Sequence, residues 1–297
     1  MKCALILAGG KGSRLYPIST VEKPKQFLKM KKNKTLLELT YNRVSKFINS
    51  ENIYIVLPKE YIHFVFELLP DFNKKNIIVE PMQKNTAPCI LYSALIIDKI
   101  NPNSDIYIFP ADHYIENLDL FIEDMNTGYS NLKKNNFIVF GIKPFEPSTR
   151  FGYIKFDSNK KIDNVIEFKE KPSFNVALEY YNSGKYYWNS GIILCNVKYI
   201  LKLFKKYLTK DYSLLTNNFS NYENCTNISI DYAILENLDC INVVKCNFVW
   251  DDVGVLESFE KYTDNLELLK IIDKEKSKSN DKINKSIKLW VKITKKI

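Results

Sequence analysis

The sequence predicts an α/β fold in three layers, with a mixed, mostly parallel central sheet between two layers of helices. Two features indicate this. Short apolar runs, typical of buried strands, alternate with segments whose apolar residues recur at helical spacing. The chain of 297 residues is also 45% hydrophobic and 26% charged, an ordinary globular composition for a chain long enough to bury a full core.

The predicted elements alternate through the first half of the chain. Strands are predicted over residues 3–7, 53–57, 77–79, 106–109 and 137–141. Helices are predicted between them, over residues 36–48, 61–69, 86–100 and 118–132. Because ligands bind outside the carboxyl ends of the strands in such sheets, the residues that follow these strands are the candidates for a site.

The second half of the chain has a different pattern. Residues 152–156 and 165–168 are typical of a hairpin-like pair of strands, and further strands are predicted over 188–195 and 241–245. Helices are predicted over 176–182, 197–207 and 229–237. After residue 262 the pattern gives way to a lysine-rich stretch. We therefore expect one domain over residues 1–262, followed at 263–297 by a basic tail or a short helix.

Charge and cysteine content disfavour several classes of function. The net charge of +9 points only weakly to an anionic partner, because lysine is spread along the whole chain, and no nucleic-acid-binding pattern is present. The six cysteines form no C-x-x-C pair and only two histidines are present, so we expect neither zinc nor disulfides. We find no run long enough to span a membrane and no signal-peptide pattern, and therefore expect a cytoplasmic protein.

The opening loop has the composition of a phosphate-binding turn. Residues 9–12 contain three glycines directly after the first predicted strand, and Arg14 and Lys25 follow. Glycine lets several backbone N–H groups approach one anion, and the two cations would supply charge to a polyphosphate. The spacing matches neither the dinucleotide fingerprint nor the P-loop, so a plain glycine turn is the alternative interpretation.

Two acids follow predicted strands in positions suited to a magnesium site. Asp112 lies in a P-A-D-H turn after the strand at 106–109, and Asp252 lies in the cluster W-D-D-V-G at 250–254. Carboxylate oxygens are ligands that Mg²⁺ prefers. Either acid alone is equally consistent with capping a turn or a helix, and Asp251 offers a second choice beside Asp252.

Three further clusters carry side chains suited to a sugar or a nucleotide. F-K-E-K-P offers Glu170 for hydroxyl groups and Lys171 for a phosphate, and W-N-S-G places Asn189 beside an aromatic ring. N-T-A-P at residues 85–88 opens a predicted helix with polar side chains and free N–H groups. Each cluster taken alone is at least as consistent with capping and packing.

Taken together and in order, these motifs resemble the sugar-phosphate nucleotidylyltransferases, and specifically the mannose-1-phosphate guanylyltransferases. The motifs that carry the resemblance are L-A-G-G-K-G-S-R-L-Y-P with E-K-P-K-Q-F, N-T-A-P, P-A-D-H, G-I-K-P, F-G-Y-I, E-K-P, W-N-S-G, S-I-D-Y-A and W-D-D-V-G, over roughly residues 1–262. The resemblance implies a Rossmann-like nucleotide-diphospho-sugar transferase fold, with a catalytic domain at 1–262 and no cupin-type isomerase domain at 263–297.

The resemblance also implies a reaction and a set of site residues. GMP would be transferred from GTP to α-D-mannose 1-phosphate by direct in-line attack with Mg²⁺, giving GDP-mannose and pyrophosphate. The implied catalytic residues are Arg14, Lys25, Asp112 and Asp252, the last two as Mg²⁺ ligands. The implied nucleotide-binding residues are Leu7, Ala8, Gly9, Gly10, Gly12, Ser13, Asn85 and Thr86. The implied sugar-phosphate-binding residues are Gly152, Glu170, Lys171 and Asn189.

Two substitutions depart from the family's pattern. Lys84 precedes N-T-A-P where an arginine is common, and Arg150 stands before F-G-Y-I where a glycine is usual. We expect Arg150 to bring an extra cation near the sugar site. Two alternative functions stay open: nucleotidyl transfer to another sugar 1-phosphate such as a heptose, and a catalytically silent, regulatory homologue that binds sugar nucleotides. No nucleic acid or membrane partner is expected, and a homodimer is left open.

Overall fold

The computed structural model describes residues 1–158, 160–238 and 240–278. The chain divides into two units. The larger unit holds Met1–Gly9 and Leu37–Asp252, and the smaller holds Gly10–Leu36 and the described residues from Val253 onward. The predicted domain boundary at residue 262 stays a prediction, and the part of the expected tail after residue 278 lies outside the described residues.

The described residues form strands and helices with the following bounds. The strands are β1 Lys2–Leu7, β2 Ile53–Pro58, β3 Ile77–Glu80, β4 Asp105–Pro110, β5 Tyr114–Glu116, β6 Phe137–Ile142, β7 Tyr153–Phe156, β8 Ile162–Lys169, β9 Tyr186–Asn196, β10 Ile241–Cys246 and β11 Val249–Asp251. The α-helices are α1 Leu36–Val44, α2 Ile62–Leu68, α3 Thr86–Ile100, α4 Leu118–Ser130, α5 Phe174–Ser183, α6 Val197–Tyr207, α7 Thr209–Asn217, α8 Ile230–Ala233, α9 Leu256–Tyr262 and α10 at residues 266–278.

The larger unit is built on a nine-stranded sheet. The strand order is β3-β2-β1-β4-β9-β6-β10-β8-β7, and a further pairing joins β9 to β7. β1 is parallel to β2 and β4, β2 to β3, and β6 to β10. β9 is antiparallel to β4, β6 and β7, and β8 is antiparallel to β10 and β7. The strands of this sheet other than β8 and β9 therefore run in one direction, which confirms the predicted mixed, mostly parallel sheet.

Helices cover both faces of this sheet. Leu5 and Ile108 belong to a hydrophobic core that they share with residues of α3 and α6. On the opposite face, the hydroxyl of Tyr107 donates to the carbonyl oxygen of Met125 in α4 at 2.8 Å. Successive side chains of a strand point to opposite faces, so these two sets of contacts belong to two separate helix layers. The predicted three-layer α/β fold is confirmed.

The elements with strong periodicity were predicted closely. The five strands predicted in the first half each end within one residue of an observed strand, and the helices predicted at 86–100 and 197–207 coincide with α3 and α6. The helix predicted over 229–237 is instead α8 followed by a separate 3₁₀ turn at Leu235–Asn237. β5 and β11 were not predicted as a pair, because strands of three residues are too short to show alternation.

The smaller unit joins two distant parts of the sequence. The backbone N–H of Lys32 donates to the carboxylate of Asp264 at 2.9 Å, and the hydroxyl of Thr263 donates to the carbonyl oxygen of Lys29 at 3.0 Å. The first part of the expected C-terminal tail is helical, since α10 covers residues 266–278.

Two of the exclusions drawn from the sequence can be compared with the structure. All six cysteines are free thiols, and all except Cys240 are buried. None of the helices in the described part of the chain is both long enough and apolar enough to cross a bilayer.

Candidate active site

The ends of β1 and β4 lie side by side and bring two predicted motifs together. The parallel register pairs Leu7 with Pro110, and the N–H of Ala111 donates to the carbonyl oxygen of Leu7 at 3.0 Å. After β1 the chain continues into Ala8, and after β4 it continues through Ala111 into Asp112. The start of the glycine loop and the P-A-D-H turn therefore meet at the carboxyl edge of the sheet, where ligands bind in folds of this kind.

Gly9 occupies a position with no room for a side chain. A Cβ atom there would lie 2.9 Å from Oε2 of Glu80, and the side-chain amide of Gln83 donates to the carbonyl oxygen of Gly9. Glu80 is buried at the end of β3, and it accepts a hydrogen bond of 2.7 Å from the hydroxyl of Tyr222. Burial raises the pKa of Glu80. Sequence reasoning missed Glu80, although it directly follows the strand predicted over residues 77–79.

Asn85 and Thr86 begin α3, and both side chains make hydrogen bonds there. Oδ1 of Asn85, a residue with φ of 70°, accepts the N–H of Thr86 at 2.9 Å. The hydroxyl oxygen of Thr86 accepts the N–H of Ile230 at 2.9 Å, which ties the S-I-D-Y-A segment to the start of α3. The structure thus gives both residues a capping or bracing role, while their predicted contacts with the nucleotide stay a prediction.

The two candidate metal ligands lie at the same end of a short ladder. The antiparallel pairing of β5 with β11 ends at Tyr114 and Asp251. Asp112 comes two positions before Tyr114, and Asp252 comes one position after Asp251, so both acids leave the ladder on the same side. The Asp252 residue is only 8% exposed.

The donor chemistry of these two acids fits Mg²⁺. The ion is commonly held by one or two carboxylates, with water and substrate phosphate oxygens completing an octahedron. Within residues 1–158, 160–238 and 240–278, no three His, Cys, Asp or Glu side chains are grouped so as to hold a metal by themselves. Asp112 and Asp252 could therefore form the protein's part of a site that phosphate oxygens complete.

Arg150, one of the two departures from the family's pattern, forms an ion pair with Asp252. Its Nη1 lies 3.1 Å from Oδ1 of Asp252, and its guanidinium group lies over the ring of Phe151 at 4.8 Å. The contact with Asp252 is a charge-assisted hydrogen bond. The extra cation expected near the sugar site is thus paired with a candidate metal ligand, and in the sequence it lies two positions before Gly152.

The predicted sugar-binding residues come together around Gly152. A Cβ atom on Gly152 would lie 2.5 Å from Oε2 of Glu170 and 3.4 Å from Cβ of Asn189. The N–H of Asn189 also donates to the carbonyl oxygen of Gly152 at 2.8 Å. Nζ of Lys171 pairs with Oε1 of Glu170. These contacts link all four residues proposed from the sequence, and a side chain at position 152 would collide with Glu170.

Two carboxylates and one cation set the electrostatics of this pocket. Oδ1 of Asp231 accepts a hydrogen bond from Nδ2 of Asn189 at 2.9 Å. Burial, and then the charge of Asp231, raise the pKa of Glu170 to about 6, against the opposing effect of Lys171. Burial also raises the pKa of Asp231. Asp231 was missed as a site residue, although it lies within the S-I-D-Y-A motif.

Several residues that the sequence predicts to bind the triphosphate belong to the smaller unit. Gly12 has φ of 63°, and a Cβ atom there would lie 2.6 Å from Cβ of Lys25. The carbonyl oxygen of Gly10 accepts a hydrogen bond of 3.0 Å from the side-chain amide of Gln26, in the 3₁₀ turn Lys25–Phe27. Lys25 is only 3% exposed, whereas Ser13 and Arg14 are exposed. The glycine loop therefore packs directly on Lys25.

Comparisons with known proteins identify the family that this chain is similar to. A family model described as Nucleotidyl transferase matches residues 3–268. A mannose-1-phosphate guanylyltransferase of Escherichia coli is 34% identical over 278 residues, which is 86% of this chain and 60% of that protein. The alginate biosynthesis protein AlgA of Pseudomonas aeruginosa is 32% identical over 270 residues, which is 84% of this chain and 56% of that protein.

A solved structure also resembles the chain. The crystal structure described as a mannose-1-phosphate geranyltransferase from Thermus thermophilus superposes with a TM-score of 0.81 at 29% identity, covering 88% of this chain and 78% of that one. The chain spans about 60% of the length of the E. coli relative, so its match covers only part of that protein.

Proposed function

Because the chain belongs to the nucleotidyl transferase family, we propose that it transfers GMP from GTP to α-D-mannose 1-phosphate, giving GDP-mannose and pyrophosphate. A curated relative at 34% identity is named mannose-1-phosphate guanylyltransferase, which supports this choice of substrates. The single observation that carries the proposal is the gathering of Glu170, Lys171 and Asn189 around Gly152, because it offers groups for both the hydroxyls and the phosphate of a sugar phosphate.

The proposed reaction needs no nucleophile from the protein. An oxygen of the sugar phosphate attacks the α-phosphorus of GTP, a new P–O bond forms, and the bond to the β-phosphate oxygen breaks to release pyrophosphate. Such a transfer depends on positioning the reactants and neutralising charge. Bound Mg²⁺ would neutralise phosphate charge, with Asp112 and Asp252 as its protein ligands. Arg14 and Lys25 would hold the triphosphate and stabilise the charge on the leaving pyrophosphate.

The sugar pocket supplies complementary groups in fixed positions. Asn189 is oriented at both ends, because its Nδ2 donates to Asp231 at 2.9 Å and its Oδ1 accepts the N–H of Gly191 at 3.1 Å. Lys171 pairs with Glu170. We infer that a bound sugar phosphate takes Lys171 for its phosphate group, which leaves the carboxylate of Glu170 to accept hydrogen bonds from sugar hydroxyls.

One assay tests the proposal and its alternatives. The protein is incubated with Mg²⁺, each of the four nucleoside triphosphates and a panel of sugar 1-phosphates, and pyrophosphate release is measured. We expect the largest kcat/KM with GTP and mannose 1-phosphate. If another sugar 1-phosphate, such as that of a heptose, were turned over in place of mannose 1-phosphate, that sugar would be the substrate. Binding of GDP-mannose with no release from any pair would instead identify a silent regulatory homologue.

A further inference from the structure

The ion pair between Arg150 and Asp252 occupies one oxygen of a carboxylate that the proposed function assigns to Mg²⁺. Nη1 of Arg150 lies 3.1 Å from Oδ1 of Asp252, and the two side chains are 27% and 11% exposed. Two opposite charges this close and this little exposed to water attract each other more strongly than a surface pair does. Arg150 is therefore a substantial competitor for any other cation at Asp252.

Packing holds Arg150 in this position. Its guanidinium group lies over the ring of Phe151 at 4.8 Å, and that ring packs edge-on against Trp250 at 5.1 Å. Trp250 is itself anchored, because its Nε1 donates to Nδ1 of His113 at 3.1 Å. A stacked and partly buried guanidinium loses less conformational entropy on pairing than a freely moving surface side chain.

A divalent cation at the same carboxylate would have to displace Arg150 or bind beside its positive charge. We propose that Arg150 is the built-in counter-ion of Asp252 and lowers the affinity of this acid for Mg²⁺ until a nucleotide is present. Phosphate oxygens would then give Arg150 an alternative bidentate partner. The inference rests on the proposed function in one respect, since it takes Asp252 as a metal ligand.

Metal binding without substrate tests this inference directly. Mn²⁺, used as the probe, is titrated into the protein and followed by electron paramagnetic resonance. We expect Arg150→Gln, which keeps donors but removes the charge, to bind Mn²⁺ about tenfold more tightly than the unaltered protein. Arg150→Lys keeps the charge and should stay within about threefold of the unaltered protein. With GTP present, the difference between Arg150→Gln and the unaltered protein should shrink.

Lys155→Gln is the matched control, because it removes the same charge from a nearby pair. Nζ of Lys155 lies 3.7 Å from Glu167, and these side chains are 35% and 41% exposed. Its Mn²⁺ affinity should change by less than about twofold, since exposed charges are screened. Adding Asp252→Asn to the Arg150→Gln variant should abolish the increase in Mn²⁺ affinity that Arg150→Gln produces. Circular dichroism melts establish that each variant is folded.

Three results would overturn the inference. Arg150→Gln could bind Mn²⁺ no more tightly than Lys155→Gln, including the case in which neither binds detectably. The tighter Mn²⁺ binding of Arg150→Gln could persist when Asp252→Asn is added. Arg150→Lys could also bind Mn²⁺ as tightly as Arg150→Gln does. These results are separable from failure of the proposed function, because that function is judged by pyrophosphate release and this inference by metal binding without substrates.

Discussion

At the scale of single residues, neighbouring charges determine how each group of the candidate site can act. Glu170 lies beside Lys171 and near Asp231, and burial is the largest influence on its pKa. Asp252 is paired with Arg150 within the same unit. Both acids therefore have a cation beside them, but at Glu170 burial and the charge of Asp231 outweigh that cation and raise the pKa.

The pKa of Glu170 predicts a pH dependence of stability. Its pKa is raised from 4.5 to about 6, so the folded protein binds this proton more tightly than the unfolded chain does. The resulting stability is fully present below about pH 4.5 and is lost as pH rises through about 6. We expect the unaltered protein to lose up to about 2 kcal/mol of unfolding free energy between about pH 4 and pH 7, and Glu170→Gln to lack this fall. Urea unfolding at several pH values measures the unfolding free energy of the unaltered protein and of Glu170→Gln. Identical pH profiles for the two would contradict this prediction.

Asp112 carries the second prediction at this scale. Asp112→Asn keeps the shape of the side chain but removes a negative charge that Mg²⁺ would require. We expect kcat to fall by about 100-fold or more, since charge neutralisation at the phosphates is lost. The side chain of Asp112 is 34% exposed, so the melting temperature should change little. Activity close to that of the unaltered protein would show that Asp112 is not a metal ligand.

At the scale of elements, the sequence predicted what depends on local periodicity. β1 and α3 were found because their apolar patterns are long and regular. Arg150 and Asp252 are 102 positions apart, and no local pattern indicates that they pair. Glu80 is buried at the end of β3, and Asp231 is bonded to Asn189, 42 positions away; a single sequence displays neither feature. The motifs predicted a candidate site, but the contacts among its residues required the fold.

The link between α3 and α8 gives a prediction for elements. Thr86→Val removes the hydroxyl that accepts the N–H of Ile230 at 2.9 Å while keeping the side-chain shape. We expect a loss of about 1–2 kcal/mol in unfolding free energy, because a partly buried N–H is left without its partner. We also expect a higher KM for mannose 1-phosphate, since α8 carries Asp231.

A second threonine provides the control for this change. The hydroxyl of Thr216 donates to the carbonyl oxygen of Tyr212 at 2.8 Å, at an exposed position in α7. Thr216→Val should lower the unfolding free energy by well under about 1 kcal/mol, because the carbonyl oxygen of Tyr212 keeps its access to water and its backbone partner in the helix. Equal losses of unfolding free energy in both variants would mean that Thr86 has no special bracing role. An unchanged KM for mannose 1-phosphate in Thr86→Val would mean that this contact of α8 does not affect sugar binding.

At the scale of the whole molecule, charge is the property that acts over the longest range. The chain carries a net charge of +9, and both proposed substrates are phosphate anions. A protein of this sign attracts such ligands before contact, and dissolved salt screens that attraction. The net charge alone identifies no site, because lysines are distributed along the chain, but it does contribute to the affinity of any anion bound to it.

Salt dependence therefore distinguishes the phosphate from the base in nucleotide binding. We expect the affinity for GTP, measured by calorimetry, to fall by about threefold to tenfold between about 50 mM and about 500 mM NaCl. Guanosine carries no phosphate, so its weaker affinity should stay constant within about twofold over the same range. Arg14→Gln should reduce the salt dependence for GTP, because one of the cations proposed to hold the triphosphate is gone. If GTP and guanosine responded equally to salt, then long-range charge would contribute nothing to nucleotide binding, and the triphosphate role of the glycine loop and its cations would be contradicted.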